Sequence, residues 1–406
     1  MLRTVVIVGS SLAGLRAAET LRTEGFGGRV VLVGDEPHLP YDRPPLSKKV
    51  LAGEWEADRI KLRKDDEYAT LDFELRLGRR AKGLDLAERE VVLDGGERLA
   101  FDGLVIATGA TPRRLPDQPE LDGLFTLRSL DDALALRTAL DARPRRVVVV
   151  GAGFIGAEVA ATARLRGLAV TLVEALPVPL ARGLGDDLGA VLAEVHRDHG
   201  VDVRLGTGVD AVEGDGRVER VRLSSGDVVE ADVVLVGIGV VPNTAWLERS
   251  GLELRDGVVC DATLAAGPPL VYAAGDVARW PNALFDEEMR VEHWTNAAEQ
   301  GAAGARNLLA AAAGRVGTPY APVPFFWSDQ YEARIQFLGR ASGGDDVRVV
   351  HGSLAERRFV ALYGRDGRLR GAFGLNLPRK VMPYRNLLAD GASWDDALHF
   401  AATQEG

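Results

Sequence analysis

The sequence predicts an α/β protein with two Rossmann-like dinucleotide-binding domains, one inserted in the other, and a C-terminal α+β domain. Three observations carry this reading. Two glycine-rich turns each follow an apolar run of strand length: Gly9-Ser10-Ser11-Leu12-Ala13-Gly14 after Val5–Val8, and Gly151-Ala152-Gly153-Phe154-Ile155-Gly156 after Val147–Val150. The chain has 406 residues, more than one hydrophobic core usually supports. After Pro319 the texture changes to alternating strands that open on Phe325-Phe326-Trp327-Ser328-Asp329-Gln330-Tyr331.

Each turn joins a buried strand to a helix, whose first N–H groups can hold a pyrophosphate. Residues 3–9 read as a strand, 12–24 as a helix and 29–33 as a second strand. Asp35-Glu36 follows, about 21 residues past Gly14, where a carboxylate binds ribose hydroxyls. The motif departs from Gly-x-Gly-x-x-Gly at Ser11, which is small and can donate a hydrogen bond. Pro40 to Lys49 reads as an ordered loop entering a helix near Leu46 or Ser47. Residues 101–107 form another strand, and Ala107-Thr108-Gly109 marks a domain exit.

A helix over 131–140 leads to the second unit. Its second strand, 170–173, closes on Glu174, about 18 residues beyond Gly156. A carboxylate there repels a 2′-phosphate and favours NADH over NADPH; Arg182 lies near enough in sequence to oppose that preference. Strands are expected at 201–205, 217–223 and 228–238, then a second exit-like stretch at Gly237-Ile238-Gly239. Residues 270–274 form a short strand ending in Gly275-Asp276. If it completes the first sheet, the first domain is discontinuous, with 1–112 and 245–322 flanking an inserted 113–244, and 323–406 closing the chain. The Ala-rich segment 297–312 reads as a helix in which Gly301 and Gly304 permit close packing, and 394–403 as a last helix.

Two dinucleotide sites in one chain point to electrons passing from a nicotinamide to a flavin. Lys48 is placed beside the isoalloxazine, where a cation stabilises reduced flavin, and Glu158 is expected to pair with it. Asp276 is expected to hold the ribityl chain. Trp327 and Trp294, in Glu292-His293-Trp294, are candidate flavin neighbours. The formal charge of −10 argues against general nucleic-acid binding and leaves room for a local basic patch. A single cysteine, Cys260, allows no intrachain disulfide and no CxxC pair. The six histidines show no metal-ligand spacing, and no apolar run reaches membrane-spanning length. A cytoplasmic monomer or homodimer without membrane attachment is expected.

Together these residues resemble the FAD-dependent ferredoxin reductases of bacterial cytochrome P450 and Rieske dioxygenase systems. The resemblance rests on Gly9–Gly14, Arg43-Pro44-Pro45-Leu46-Ser47-Lys48, Ala107-Thr108-Gly109, Leu127-Arg128-Ser129, Gly151–Glu158, Gly237–Asn243, Tyr272–Asp276 and Phe326–Tyr331. It implies FAD contacts from Ala13, Asp35, Lys48, Ala81, Arg128, Asp276 and Trp294, and NADH held by Gly151 to Glu158 and Glu174; Arg43 is read as a further cofactor-site residue. It implies hydride transfer from NADH to FAD and delivery of single electrons to a small [2Fe–2S] ferredoxin. An acidic partner would meet Arg43, Lys49, Arg290, Arg334, Arg340, Arg379 and Lys380. A rubredoxin or other small-carrier reductase and an NADH-sensing flavoprotein are the alternatives. A disulfide reductase needs a redox cysteine in the early loop, where Tyr41-Asp42-Arg43 stands instead.

Overall fold

The computed structural model describes residues 2–404, except the side chains of Ala69 and Arg182. The chain divides into two compact units. The first comprises Met1–Asp42, Ile60–Thr111 and Val241–Pro324; the second comprises Arg43–Arg59, Pro112–Val240 and Phe325–Gly406.

The first unit is built on a five-stranded parallel sheet in the order Val271–Ala273, Gly103–Ile106, Thr4–Val8, Arg29–Val33, Glu74–Arg76. Its central strand is buried on both faces, as a parallel sheet requires. Asp102 fixes the start of that strand by accepting the Arg3 and Thr4 N–H groups at 2.8 and 2.9 Å. Helices Leu12–Thr23 and Trp294–Ala312 pack against each other. Gly301 is required there, because a Cβ at this position would fall 2.2 Å from the Ala13 carbonyl oxygen. Gly304 is not required in that sense: its Cβ would make only ordinary contact with Tyr272. Val271–Ala273 completes the first sheet although it follows the second glycine motif, so in sequence the strands of the second unit's parallel sheet fall between those of the first.

The second unit holds a parallel sheet in the order Asp202–Leu205, Ala169–Glu174, Arg146–Val150, Val233–Val236, Leu124–Phe125. The strand expected over 228–238 is two strands. Val228–Glu230 closes a three-stranded antiparallel meander, and Val233–Val236 enters the parallel sheet. Asp232 makes the switch: its carboxylate accepts the Arg145 and Arg146 N–H groups at 2.7 and 3.0 Å, while Ala231 N–H still bonds to Glu219 in the meander. The C-terminal five-stranded antiparallel sheet has the order Phe325–Gln330, Ala333–Gly339, Arg368–Leu375, Arg358–Arg365, Asp346–Ser353. Helix Asp186–Asp198 lays Leu188, Leu192 and Val195 on its Ile335, Phe337, Phe359 and Phe373. That shared core explains why the C-terminal sheet groups with the inserted region.

The helix expected near Leu46 is one π-type turn, Leu46–Val50, and the last helix spans Trp394–Thr403.

Candidate functional site

In the first unit the strand–turn–helix motif is sterically locked. Gly9 has φ +119°, and a Cβ there would overlap the Ala107 carbonyl; a Cβ at Gly14 would fall 1.8 Å from the Gly9 oxygen. Only glycine lets strand, exit loop and helix approach this closely. Ser11 is the N-cap of helix Leu12–Thr23, which has no acidic side chain in its first turn, so the helix end presents an undiminished positive dipole. Asp35 is exposed and forms an ion pair with Arg80 at 3.3 Å. Tyr41 donates to Glu36, which draws that carboxylate toward the loop.

The exit stretch Ala107-Thr108-Gly109 is fastened to Asn243. Thr108 Oγ donates to the Asn243 carbonyl at 2.9 Å, and Asn243 Nδ2 donates back to the Thr108 carbonyl at 2.9 Å. Gly275 has φ +77°, and its N–H donates to buried Gln300 at 2.8 Å. Asp276 is buried in the one-turn helix that follows. Trp294 Nε1 donates to Asp42 at 2.6 Å. Ala81 is buried at the start of the strand Ala81–Asp85.

In the second unit the same steric lock recurs. A Cβ at Gly156 would fall 1.9 Å from the Gly151 oxygen, and one at Gly151 would fall 2.4 Å from that of Gly237. Gly153 differs: a Cβ there would meet no protein atom within 4 Å. Protein packing does not demand glycine at that N-cap, but a phosphate approaching the helix end does. Glu174 Oε2 accepts the Ala152 N–H at 2.7 Å and Oε1 the Leu176 N–H at 2.9 Å, so it holds the loop's shape. Ile155 stays partly exposed, and Ile238 packs against the sheet core. Gly239 has φ +99°, which lets the second exit stretch turn.

On helix Phe154–Leu165, Phe154, Glu158 and Thr162 recur every fourth residue and form one stripe. Phe154 packs on Phe326 with ring centroids 4.3 Å apart. Glu158 is only 4% exposed. Its Oε2 accepts from Ser47 Oγ at 2.5 Å and from Lys48 Nζ at 2.8 Å, and its Oε1 accepts from Ser328 Oγ at 2.7 Å. Thr162 Oγ1 donates to the Ser47 carbonyl at 2.8 Å and fixes that turn. The expected Lys48–Glu158 pair is therefore present, and the structure adds Ser47 and Ser328 to it. Alternation along Phe325–Gln330 gave a signal for Ser328, which lies on the same strand face as Phe326 and Gln330. Trp327 is on the other face, stacked with Phe325 at 6.0 Å and only partly buried. Arg43 donates to the Arg128 carbonyl, and Arg128 N–H donates to Asp132, so these two expected cofactor residues are joined.

The expected docking cations are not alike. Arg290 is a correction: it is 10% exposed, enclosed by Asp256 and Glu292, and donates to the Asp276 carbonyl at 3.1 Å. Lys49 pairs with Glu54, and Lys380 donates to the Gln404 carbonyl. Arg334, Arg340 and Arg379 are exposed. Cys260 is buried, and burial pushes its thiol up to about 12, which leaves it without thiolate chemistry. Among the described residues no three His, Cys, Asp or Glu side chains gather to hold a metal ion, and no helix is long and apolar enough to cross a membrane.

Two glycine-locked strand–helix turns of one design, with a buried carboxylate–ammonium pair beside the second, are the arrangement of a two-nucleotide oxidoreductase. The chain belongs to the pyridine nucleotide-disulphide oxidoreductase family, which it matches over residues 3–301, and it carries the reductase C-terminal domain over residues 325–404. Within that family it is similar to ferredoxin reductases. Putidaredoxin reductase of Pseudomonas putida is 37% identical over 95% of this chain and 92% of its own length. The ferredoxin–NAD(+) reductase component of the anthranilate 1,2-dioxygenase system of Burkholderia cepacia is 38% identical over 96% and 95%. The crystal structure of the covalent putidaredoxin reductase–putidaredoxin complex superposes with a TM-score of 0.91, at 34% identity, over 99% of this chain and 98% of that one.

Proposed function

We propose that this protein is an NADH-dependent FAD reductase that passes electrons to a small ferredoxin serving a P450 or dioxygenase. The observation that carries the reading is the pairing of two locked glycine cradles with the buried Lys48–Glu158 contact, in a chain similar along its length to ferredoxin reductases. FAD supplies, when bound, the conversion of one hydride into two single electrons.

The chain's own residues do the rest. The cradle of Gly9, Ser11, Leu12, Ala13 and Gly14, with Asp35, Glu36, Thr108 and Asp276, binds and orients FAD. Arg43, Ala81, Arg128, Glu292, His293 and Trp294 are its further contacts. Gly151, Gly153, Phe154, Ile155 and Gly156 hold the NADH pyrophosphate on the helix dipole. Glu174 shapes the ribose site and disfavours a 2′-phosphate. Glu158 fixes the Lys48 ammonium in one orientation, so its charge is in place before reduction and needs no reorganisation. Trp327 stands as an aromatic contact for the cofactor. Functionally the chain divides into an FAD part (1–112 and 245–322), an NAD part (113–244) and a C-terminal interface part (323–406).

The ferredoxin is acidic and of [2Fe–2S] type, met by the exposed Arg334, Arg340 and Arg379, and the protein acts in the cytoplasm. The test is NADH-dependent reduction of purified ferredoxins of differing cluster and charge, followed by their own absorbance. Rapid reduction of an acidic [2Fe–2S] ferredoxin supports the reading. A bound flavin that reduces only rubredoxins, or no carrier at all, contradicts it.

A further inference from the structure

Behind Glu158 the second unit buries a row of polar groups that the reading above does not use. Ser328, Gln330 and His196 are each at most 1% exposed. Gln330 Nε2 lies 3.3 Å from Ser328 Oγ, and His196 Nδ1 lies 3.0 Å from the Tyr331 hydroxyl. Among the described residues, Gln330 Oε1 and His196 Nε2 are both buried with no hydrogen-bond partner.

The proton directions next to Glu158 follow from its charge. A carboxylate only accepts, so Ser328 spends its single O–H on Glu158 Oε1. Ser328 Oγ must then accept from Gln330, which puts the amide nitrogen toward Ser328. Two donors point one way, the first polarised by the second, toward one carboxylate.

We propose that Ser328 and Gln330 are positioning residues that hold Glu158 as a fixed anion and, through it, set the Lys48 ammonium. Burial of His196, with His199 beside it, pushes its pKa down to about 4, so the ring at the far end of the row stays neutral at neutral pH. The charged groups around this end of the row are Arg164, which donates to the His199 carbonyl, and Glu332, which His199 faces at 3.2 Å. Tyr331, at φ +55°, is stacked on His199 with centroids 3.6 Å apart, which holds its hydroxyl in line.

This inference rests on the reductase reading, and the experiment separates the two. Flavin reduction by NADH is followed by anaerobic stopped flow in the FAD-loaded wild type, Ser328→Ala, Ser328→Thr and Gln330→Met. Loss of one charge-assisted hydrogen bond predicts about ten-fold slower reduction in Ser328→Ala, with NADH affinity changed less than about two-fold. Ser328→Thr restores the rate, and Gln330→Met, one bond further out, costs about three-fold. An unchanged rate in both Ser328→Ala and Gln330→Met overturns the proposal. Urea unfolding of the same loaded proteins supplies a readout independent of turnover: Ser328→Ala and Glu158→Gln should be strongly non-additive in a double-mutant cycle, and additive effects overturn the chain. A wild type that NADH fails to reduce sinks the reductase reading, while the unfolding cycle still decides the chain.

Discussion

The two glycine loops are the same piece of steric engineering with different uses. In each, the last glycine sits under the first, with a virtual Cβ at 1.8 Å from the Gly9 oxygen in one and 1.9 Å from the Gly151 oxygen in the other. Two residues past that glycine the helices diverge. Arg16 is half-buried and pairs with Glu19 along its own helix at 2.7 Å, whereas Glu158 is buried against Ser47, Lys48 and Ser328. The acids at the second strand diverge too: Asp35 is exposed beside Arg80, while Glu174 holds the backbone of its own loop. Shared positions serve the strand–helix crossing; under the proposed function the differing ones carry the chemistry. A first cradle that only holds and a second that also sets a charge is then the division expected of a resident cofactor and a visiting substrate.

The strongest way to break that comparison is to block each cradle separately. Gly14→Ala forces its methyl into the Gly9 carbonyl, and should cost about 3 kcal/mol of stability and yield colourless protein. Gly156→Ala makes the matching clash, yet should leave the protein yellow and abolish bleaching by NADH. Equal loss of flavin from both variants, read by absorbance after gel filtration, would erase the distinction between them. Next in size is Lys48→Met, which leaves Glu158 buried without its cation. Roughly 3 kcal/mol of unfolding free energy should go, with flavin reduction slowed at least about ten-fold while the protein stays yellow.

The pH dependence of stability sharpens the second region. Burial holds His196 at about 4 in the folded chain against an ordinary 6.5, so above pH 6.5 the ring is neutral in both states and contributes nothing. As pH falls from 6.5 to 4 the unfolded chain takes up a proton that the folded one refuses, and stability drops by about 3 kcal/mol. His196→Phe should remove that part of the slope in urea melts taken across this range; an unaltered slope would mean that His196 is solvated in the folded state. Smaller still, Glu174→Ala should narrow the preference for NADH over NADPH about ten-fold, as ratios of kcat/KM report. The smallest effect belongs to the surface. Arg334→Glu with Arg379→Glu should raise the KM for an acidic ferredoxin several-fold at low salt and leave NADH–dye turnover intact, the gap closing as salt is added.

What was legible in the sequence divides along the same line. Strand Arg29–Val33 and helix Trp394–Thr403 fall where their patterns place them, because local periodicity and caps set them. The meander Ala81–Asp85, Glu90–Leu93, Arg98–Ala100 is not legible as strands: its short segments are interrupted by charged residues and Gly83, without the unbroken apolar run that marks Arg29–Val33. The motifs pair Lys48 with Glu158. Ser47 and Ser328 lie 111 and 170 residues from Glu158; alternation puts Ser328 on a buried strand face but does not say which group it meets there. Arg290 looked like a surface cation because charge alone does not tell an exposed arginine from one enclosed by Asp256 and Glu292.

The most direct test of the account is anaerobic stopped flow of the purified protein against NADH and then NADPH, following the visible absorbance of bound flavin. The expected result is a yellow protein that NADH bleaches rapidly and NADPH far more slowly. A colourless protein, or a yellow one that neither nucleotide bleaches, would contradict it.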